Sequence, residues 1–252
     1  MGGALLKGWI AQGLGPVTVV EPKPGTGLKS LAKAKKIKLL DALPPGKFAA
    51  CLVAIKPQVL KSDAPRLAAI AKSAVMISIA AGTDTKLLFK AWGNKARIIR
   101  AMPNTPGAIG QGITGLYAAK TARPADRKLA DKLLSALGET VWVHKEDLID
   151  SVTAVSGSGP AYLFLMAEAL TAAGIAEGLP PALAEKLARA TVSGSGALLA
   201  ADKSPASALR EAVTSPGGTT AAALAVLMAK DGLPALMKRA VRAARQRAEE
   251  LR

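Results

Sequence analysis

The chain has 252 residues, half of them apolar, enough to bury a core in one large domain or two smaller ones and too apolar to stay disordered. A single cysteine (Cys51) excludes a disulfide framework and fits a reducing, cytoplasmic setting, while a single histidine (His144) excludes a histidine-built metal site or catalytic triad. The net charge of +16 raises nucleic acid as a partner, but aromatics are only 3% of residues and the lysines and arginines are scattered, so no nucleic-acid site is expected.

Residues 3–14 read as a helix, reached directly from Met1-Gly-Gly-Ala without the charged-then-apolar pattern of a secretory signal. Short apolar runs at 17–21, 49–55, 75–80, 96–101 and 139–143 read as strands, with helices predicted at 58–71, 85–92 and 124–137. Such alternation implies a parallel sheet covered on both faces, the pattern of a Rossmann-like dinucleotide-binding domain over residues 1–146. That fold opens with a strand and a glycine-rich turn, neither of which precedes the first helix here. Met1 is therefore expected to be an internal methionine of the glycine-rich motif. Without the central strand, two ladders would be left unpaired. Glu21 follows Gly2 by about the ~20 residues expected of a ribose-binding acid.

Residues 147–252 show only helical periodicity, broken at 178–181, 203–205, 215–218 and 232–234, and read as an all-α domain. The uncharged stretch Ser151–Ala167 falls short of the ~20 residues a membrane span needs and reads as a buried helix, so no membrane association is expected. The small-residue runs SGSG at 156–159 and 193–196 permit close helix–helix contact, either across a helical dimer or within one chain. SPGGTT at 215–220 precedes the apolar run Ala221–Met228, read as a second buried helix with Thr219 or Thr220 as its N-cap. A glycine-rich helix entry gathers backbone N–H groups and the positive helix end at one point, which suits a carboxylate or phosphate. An ordinary capped helix fits the same residues.

Four segments, LVAIKPQ (52–58), RAMPNTPGAIGQGITGLYA (100–118), AVSGSGPAYLFLMAEAL (154–170) and REAVTSPGGTTAAALAVL (210–227), resemble the pyrroline-5-carboxylate reductase family, in the family's order. The resemblance implies an NAD(P)H-dependent reduction of 1-pyrroline-5-carboxylate to L-proline, with NADPH favoured, NADH also used, and no metal. It implies that Ala54, Ile55, Lys56 and Pro57 touch the dinucleotide, that Pro103 and Asn104 floor the nicotinamide, and that Gly2 and Gly3 end the phosphate-binding turn. The substrate carboxylate would lie on the backbone N–H groups of Gly218, Thr219 and Thr220, with the catalytic Thr220 hydroxyl bonded to the ring nitrogen. Glu146 and Asp202 resemble acidic positions near that nitrogen, Asp202 standing where glutamate is more usual; a helix-capping acid fits either position as well. The family's homodimers interlock through the helical domain and often build larger rings. Three competitors remain: a β-hydroxyacid-type NAD(P) dehydrogenase, which needs a catalytic lysine in the helical domain although Lys186 and Lys203, the only lysines between residues 146 and 229, sit in no such motif, a non-enzymatic basic protein that binds nucleic acid, and an inactive truncated product.

Overall fold

Helix α1 (Gly2–Ala11) buries Leu5, Leu6 and Trp9 on one side. The computed structural model describes residues 1–252 except for the side chain of residue 61. Gly13, at φ +67, closes α1 in a Schellman turn: its N–H donates to Ile10 O and that of Leu14 to Trp9 O. The helix therefore stops short of the predicted residue 14. Strand β1 (Thr18–Val20) follows, then two elements that periodicity did not reveal, α2 (Thr26–Lys33) and β2 (Lys38–Leu40). Closely spaced lysines at 33, 35, 36 and 38 mask both elements.

The remaining strands, β3 (Ala50–Val53), β4 (Val75–Ser78), β5 (Arg97–Met102), β6 (Gly112–Ala118) and β7 (Gly138–Trp142), form one sheet in that order. The predicted helix at 58–71 divides into α3 (Pro57–Asp63), a 3-10 turn, and α4 (Ala68–Ala71), because Pro65 offers no N–H to a continuous ladder. Helix α5 (Thr85–Trp92) matches its prediction, and α6 (Pro124–Leu134) ends in a 3-10 turn at 135–137. The sheet is not wholly parallel as expected. β6 runs antiparallel to β5, since the nine-residue connection at 103–111 is shorter than the dozen or so residues a parallel crossover needs. Alternation on β4 sends Met76 to a core with Leu60, Leu88 and Trp92 on one face, and Val75 and Ile77 to a core with Leu5, Leu134 and Leu137 on the other.

β1 and β2 pair only with each other, so the sheet is interrupted between them and β3. Leu5, Leu6 and Trp9 nevertheless join Val19 and Leu39 of the small sheet to Leu52, Val75 and Ile77 of the large one in a single core.

The chain divides into two compact units, Met1–Gly157 with Arg245–Arg252, and Ser158–Ala244. The division lies after α7 (Leu148–Val152) and a π-turn at 153–157, although the change from strands to helices comes near 146. Val152 explains this: it packs so tightly on β6 that a Cβ on Gly115 would come within 2.5 Å of it.

The second unit contains α8 (Gly159–Ala176), α9 (Pro181–Ala201), α10 (Ala206–Ala212), α11 (Thr219–Leu227) and the start of α12 (Leu233–Glu250). The predicted breaks at 203–205 and 215–218 fall between helices, while those at 178–181 and 232–234 run into the first residues of α9 and α12. α8 and α9 form a hairpin in which Gly174 lies against Ala184. Two expectations are corrected here. Neither α8 nor α11 contains a buried residue, because apolar composition signals a covered face without naming what covers it. Leu148–Ala176 is also a 29-residue helical stretch, long and apolar enough by length and composition to cross a membrane. Of the two packing alternatives for SGSG at 193–196, contact within one chain is not seen: a Cβ on Gly194 or Gly196 would meet nothing within 4 Å.

Candidate active site

In the first unit the implied cofactor residues gather at the carboxyl ends of parallel strands, where open α/β sheets bind ligands. Met1 caps α1 without a side-chain bond. The first amides used inside the chain are those of Ala4 and Leu5, both donating to Met1 O, so the Gly2 and Gly3 N–H groups stay open. A Cβ on Gly2 would sit 3.0 Å from Ala54 Cβ, which places this helix start beside the β3–α3 loop. In that loop Ile55 and Lys56 are exposed, and Lys56 is the N-cap of α3. Open amides at a helix start next to a glycine close-approach fit a dinucleotide pyrophosphate. Glu21 directly follows β1, and its Oε1 accepts the Lys23 N–H at 3.0 Å. Pro103 is buried just past β5, and Asn104 Oδ1 accepts the Ile113 N–H at 3.0 Å, pinning the start of β6.

In the second unit Ser215–Gly218 forms a turn with Pro216 at its second position and Gly217 at φ +70 at its third, closed by the Gly218 N–H donating to Ser215 O at 3.0 Å. These are the requirements of a type II turn. The cap is therefore Gly218, with extended backbone and no side-chain bond, and neither Thr219 nor Thr220. Threonine propensity favoured the hydroxyls, but the turn brings the chain into α11 one residue earlier. The first internal bond of α11 is Ala222 N–H to Gly218 O. Open donors are thus the amides of Thr219, Thr220 and Ala221, because the turn occupies the Gly218 amide. The expected trio is shifted by one residue.

Glu146 is not a free acid. Its Oε1 accepts the Thr85 N–H at 2.6 Å and Arg100 Nη1 at 2.9 Å, and its Oε2 accepts the Thr85 hydroxyl at 2.5 Å. It anchors the start of α5, beside the N-cap Asp84, and balances the charge of Arg100, which is only 3% exposed. The sequence offered no sign of this, since Thr85 and Arg100 lie 61 and 46 residues away. Nearby, burial raises the Asp150 carboxyl above its ordinary range; Arg252, in ion-pair contact at 3.0 Å, and Arg100 oppose that rise. Asp202, at the end of α9, accepts the Ser204 N–H at 2.8 Å, a bond that lowers its pKa. Lys203 donates to Ala200 O at 3.0 Å and closes its own helix end. Among the described residues no three His, Cys, Asp or Glu side chains cluster as a metal would need.

Residues 146–251 match the family model for pyrroline-5-carboxylate reductase dimerisation, which implies a homo-oligomer. The pyrroline-5-carboxylate reductase of Synechocystis sp. is 46% identical over 79% of this chain and 74% of its own. A solved pyrroline-5-carboxylate reductase from Coxiella burnetii superposes with a TM-score of 0.89 at 35% identity, over 99% of this chain and 94% of that one. The Plasmodium falciparum pyrroline carboxylate reductase with NADP bound gives a TM-score of 0.79 at 26% identity, over 100% and 94%. With this breadth of identity added to the open helix start behind SPGG, the chain belongs to the pyrroline-5-carboxylate reductase family.

Proposed function

We propose that this chain reduces 1-pyrroline-5-carboxylate to L-proline with NADPH, and with NADH as well, as the last step of proline biosynthesis. The observation that carries the reading is the start of α11: three open amides beside a Thr220 hydroxyl that bonds no other side chain or backbone group among the described residues. A small cyclic imine with one carboxylate asks for just those two features. Its carboxylate accepts from Thr219, Thr220 and Ala221 in the positive field of the helix end, with Gly218 supplying the extended entry. The Thr220 oxygen accepts the N–H of the protonated imine, fixing which ring face is presented. NAD(P)H, when bound, supplies the hydride. With the imine nitrogen already protonated, the chain need supply no proton to it. Positioning and electrostatics therefore replace a strong side-chain acid.

For the cofactor, Gly2 and Gly3 would face the pyrophosphate, Glu21 the ribose, Ala54, Ile55, Lys56 and Pro57 the dinucleotide edge, and Pro103 and Asn104 the floor of the nicotinamide. We assign residues 1–146 to cofactor binding and 147–252 to substrate binding and dimerisation. Glu146 and Asp202 take positioning roles around the substrate nitrogen, since both carboxylates are already engaged within the chain. The homodimer forms through the helical domain and assembles further into a ring. The protein works in the cytoplasm, a setting that the single free Cys51 supports, without membrane or nucleic acid as a partner. NADPH oxidation that appears only when pyrroline-5-carboxylate is added tests the reading. Equal or better turnover of a 3-hydroxyacid with NAD would overturn it.

A further inference from the structure

The loop at 79–84 leaves β4 at the carboxyl edge of the sheet and leads into α5. Its first amide, that of Ile79, donates to Val53 O at 3.1 Å, which sets the loop beside Ala54 and the candidate dinucleotide residues. Its far end is fixed by Thr85, whose amide and hydroxyl both donate to Glu146. Between these points the amides of Ala81, Gly82, Thr83 and Asp84 donate to no group among the described residues. Backbone without bonds of its own keeps one shape only where something outside it bears on it.

The two residues after α12 supply that support. Gly82 is left-handed at φ +62, and a Cβ there would lie 2.8 Å from Leu251 O and 3.1 Å from Leu251 Cβ. Leu251 is 51% exposed, so its backbone and Cβ make the contact rather than a buried side chain. The next residue sets its seat. Arg252 Nη2 lies 3.0 Å from Asp150 Oδ2, an oxygen that meets no hydrogen bond among the described residues, on a side chain only 3% exposed. The other cations that bear on Asp150 are already committed: Arg100 to Glu146 at 2.9 Å and Arg245 to Glu249 at 3.0 Å. Arg252 is thus the partner this buried carboxylate depends on, and the proposed reaction uses neither residue.

We infer that Asp150 and Arg252 are positioning residues for cofactor binding: their ion pair seats Leu251 against Gly82 and so holds the 79–84 loop in the shape that NADPH meets at the carboxyl edge. The inference rests on the NADPH reading. Its test therefore reads cofactor binding by itself, as the Kd from NADPH fluorescence without substrate, and then KM and kcat for NADPH at saturating pyrroline-5-carboxylate. Asp150→Asn removes the charge that seats Arg252 and leaves no unpaired carboxylate behind. It should raise Kd and KM for NADPH about two- to thirtyfold, with kcat held and no fall in melting temperature at pH 7.

Arg252→Lys, which keeps the cation, should stay within about twofold of wild type, as should Arg247→Ala, which breaks only the exposed Arg247–Glu250 pair of the same helix. Gly82→Ala should also weaken NADPH binding, and adding Asp150→Asn to it should change Kd by no more than about twofold, because both release one contact. Unchanged Kd in Asp150→Asn, or effects that multiply in the double variant, overturn the inference and leave the NADPH reading standing. Affinity lost only in step with melting temperature makes the pair a structural tie and overturns it as well. A wild type that does not bind NADPH overturns both.

Discussion

Replacing Thr220 by valine keeps the volume and β-branching of the second residue of α11 and deletes only the hydroxyl. In the chain that hydroxyl caps nothing, since Gly218 is the cap and carries no side-chain bond. The helix therefore loses no partner, and the melting temperature should stay within about 2 °C of wild type, the range of a near-neutral substitution. If the Thr220 oxygen accepts the imine N–H in the transition state, its loss costs about 1–3 kcal/mol, or roughly five- to 150-fold in kcat/KM. A neighbouring change isolates the amides. Thr219→Pro puts proline at the first helical position, where its φ fits and the extended Gly218 before it is compatible, and removes one N–H donor. It should raise KM for the imine carboxylate, whereas Thr219→Val, which keeps the amide, should change it little. Steady-state NADPH oxidation across a range of pyrroline-5-carboxylate concentrations separates the two effects. Full activity in Thr220→Val together with loss in Thr219→Val would show that the two threonines have exchanged roles, and no effect from any of the three would reduce the helix start to a structural cap.

Other perturbations bear on the rest of the site. Glu21→Gln keeps an acceptor for the Lys23 N–H while removing the charge that opposes a 2′-phosphate, so the NADPH/NADH ratio of kcat/KM should rise, with Glu21→Ser following; an unchanged ratio means that Glu21 does not face the ribose. Glu146→Ala leaves Arg100 buried without its partner and should cost about 2–4 kcal/mol, toward the low end for a buried pair because the Glu146 side chain keeps 22% exposure. Thermal melts should fall accordingly, and an unchanged melt refutes the anchoring role. Asp150 has a raised folded pKa, so its stabilising contribution is greatest at low pH and is lost as pH rises through that folded value. The melting temperature of Asp150→Asn relative to wild type should therefore improve between pH 4 and pH 7, and a difference that declines over that range contradicts the burial argument.

Most of the architecture was legible along the chain because its signals are local. Continuous apolar runs marked β3, β4 and β5, while proline and glycine marked every break in the helical unit and the turn before α11. Short-range cues fail where a neighbour distant in sequence decides. β2 is three residues long among lysines, and only pairing with β1 makes it a strand. The antiparallel direction of β6 follows from the reach of a nine-residue connection, which composition does not display. At the site, the sequence located the anion-binding helix start, but the bond from Gly218 to Ser215 moved the donor set by one residue. Glu146 resembled an acid beside the substrate nitrogen, and only folding brought Thr85 and Arg100 to its two oxygens. The apolar residues of α8 announced that a face must be covered, since burial is a property of composition. What covers it is a property of assembly, and a hydrophobic side chain carries no direction that names its partner.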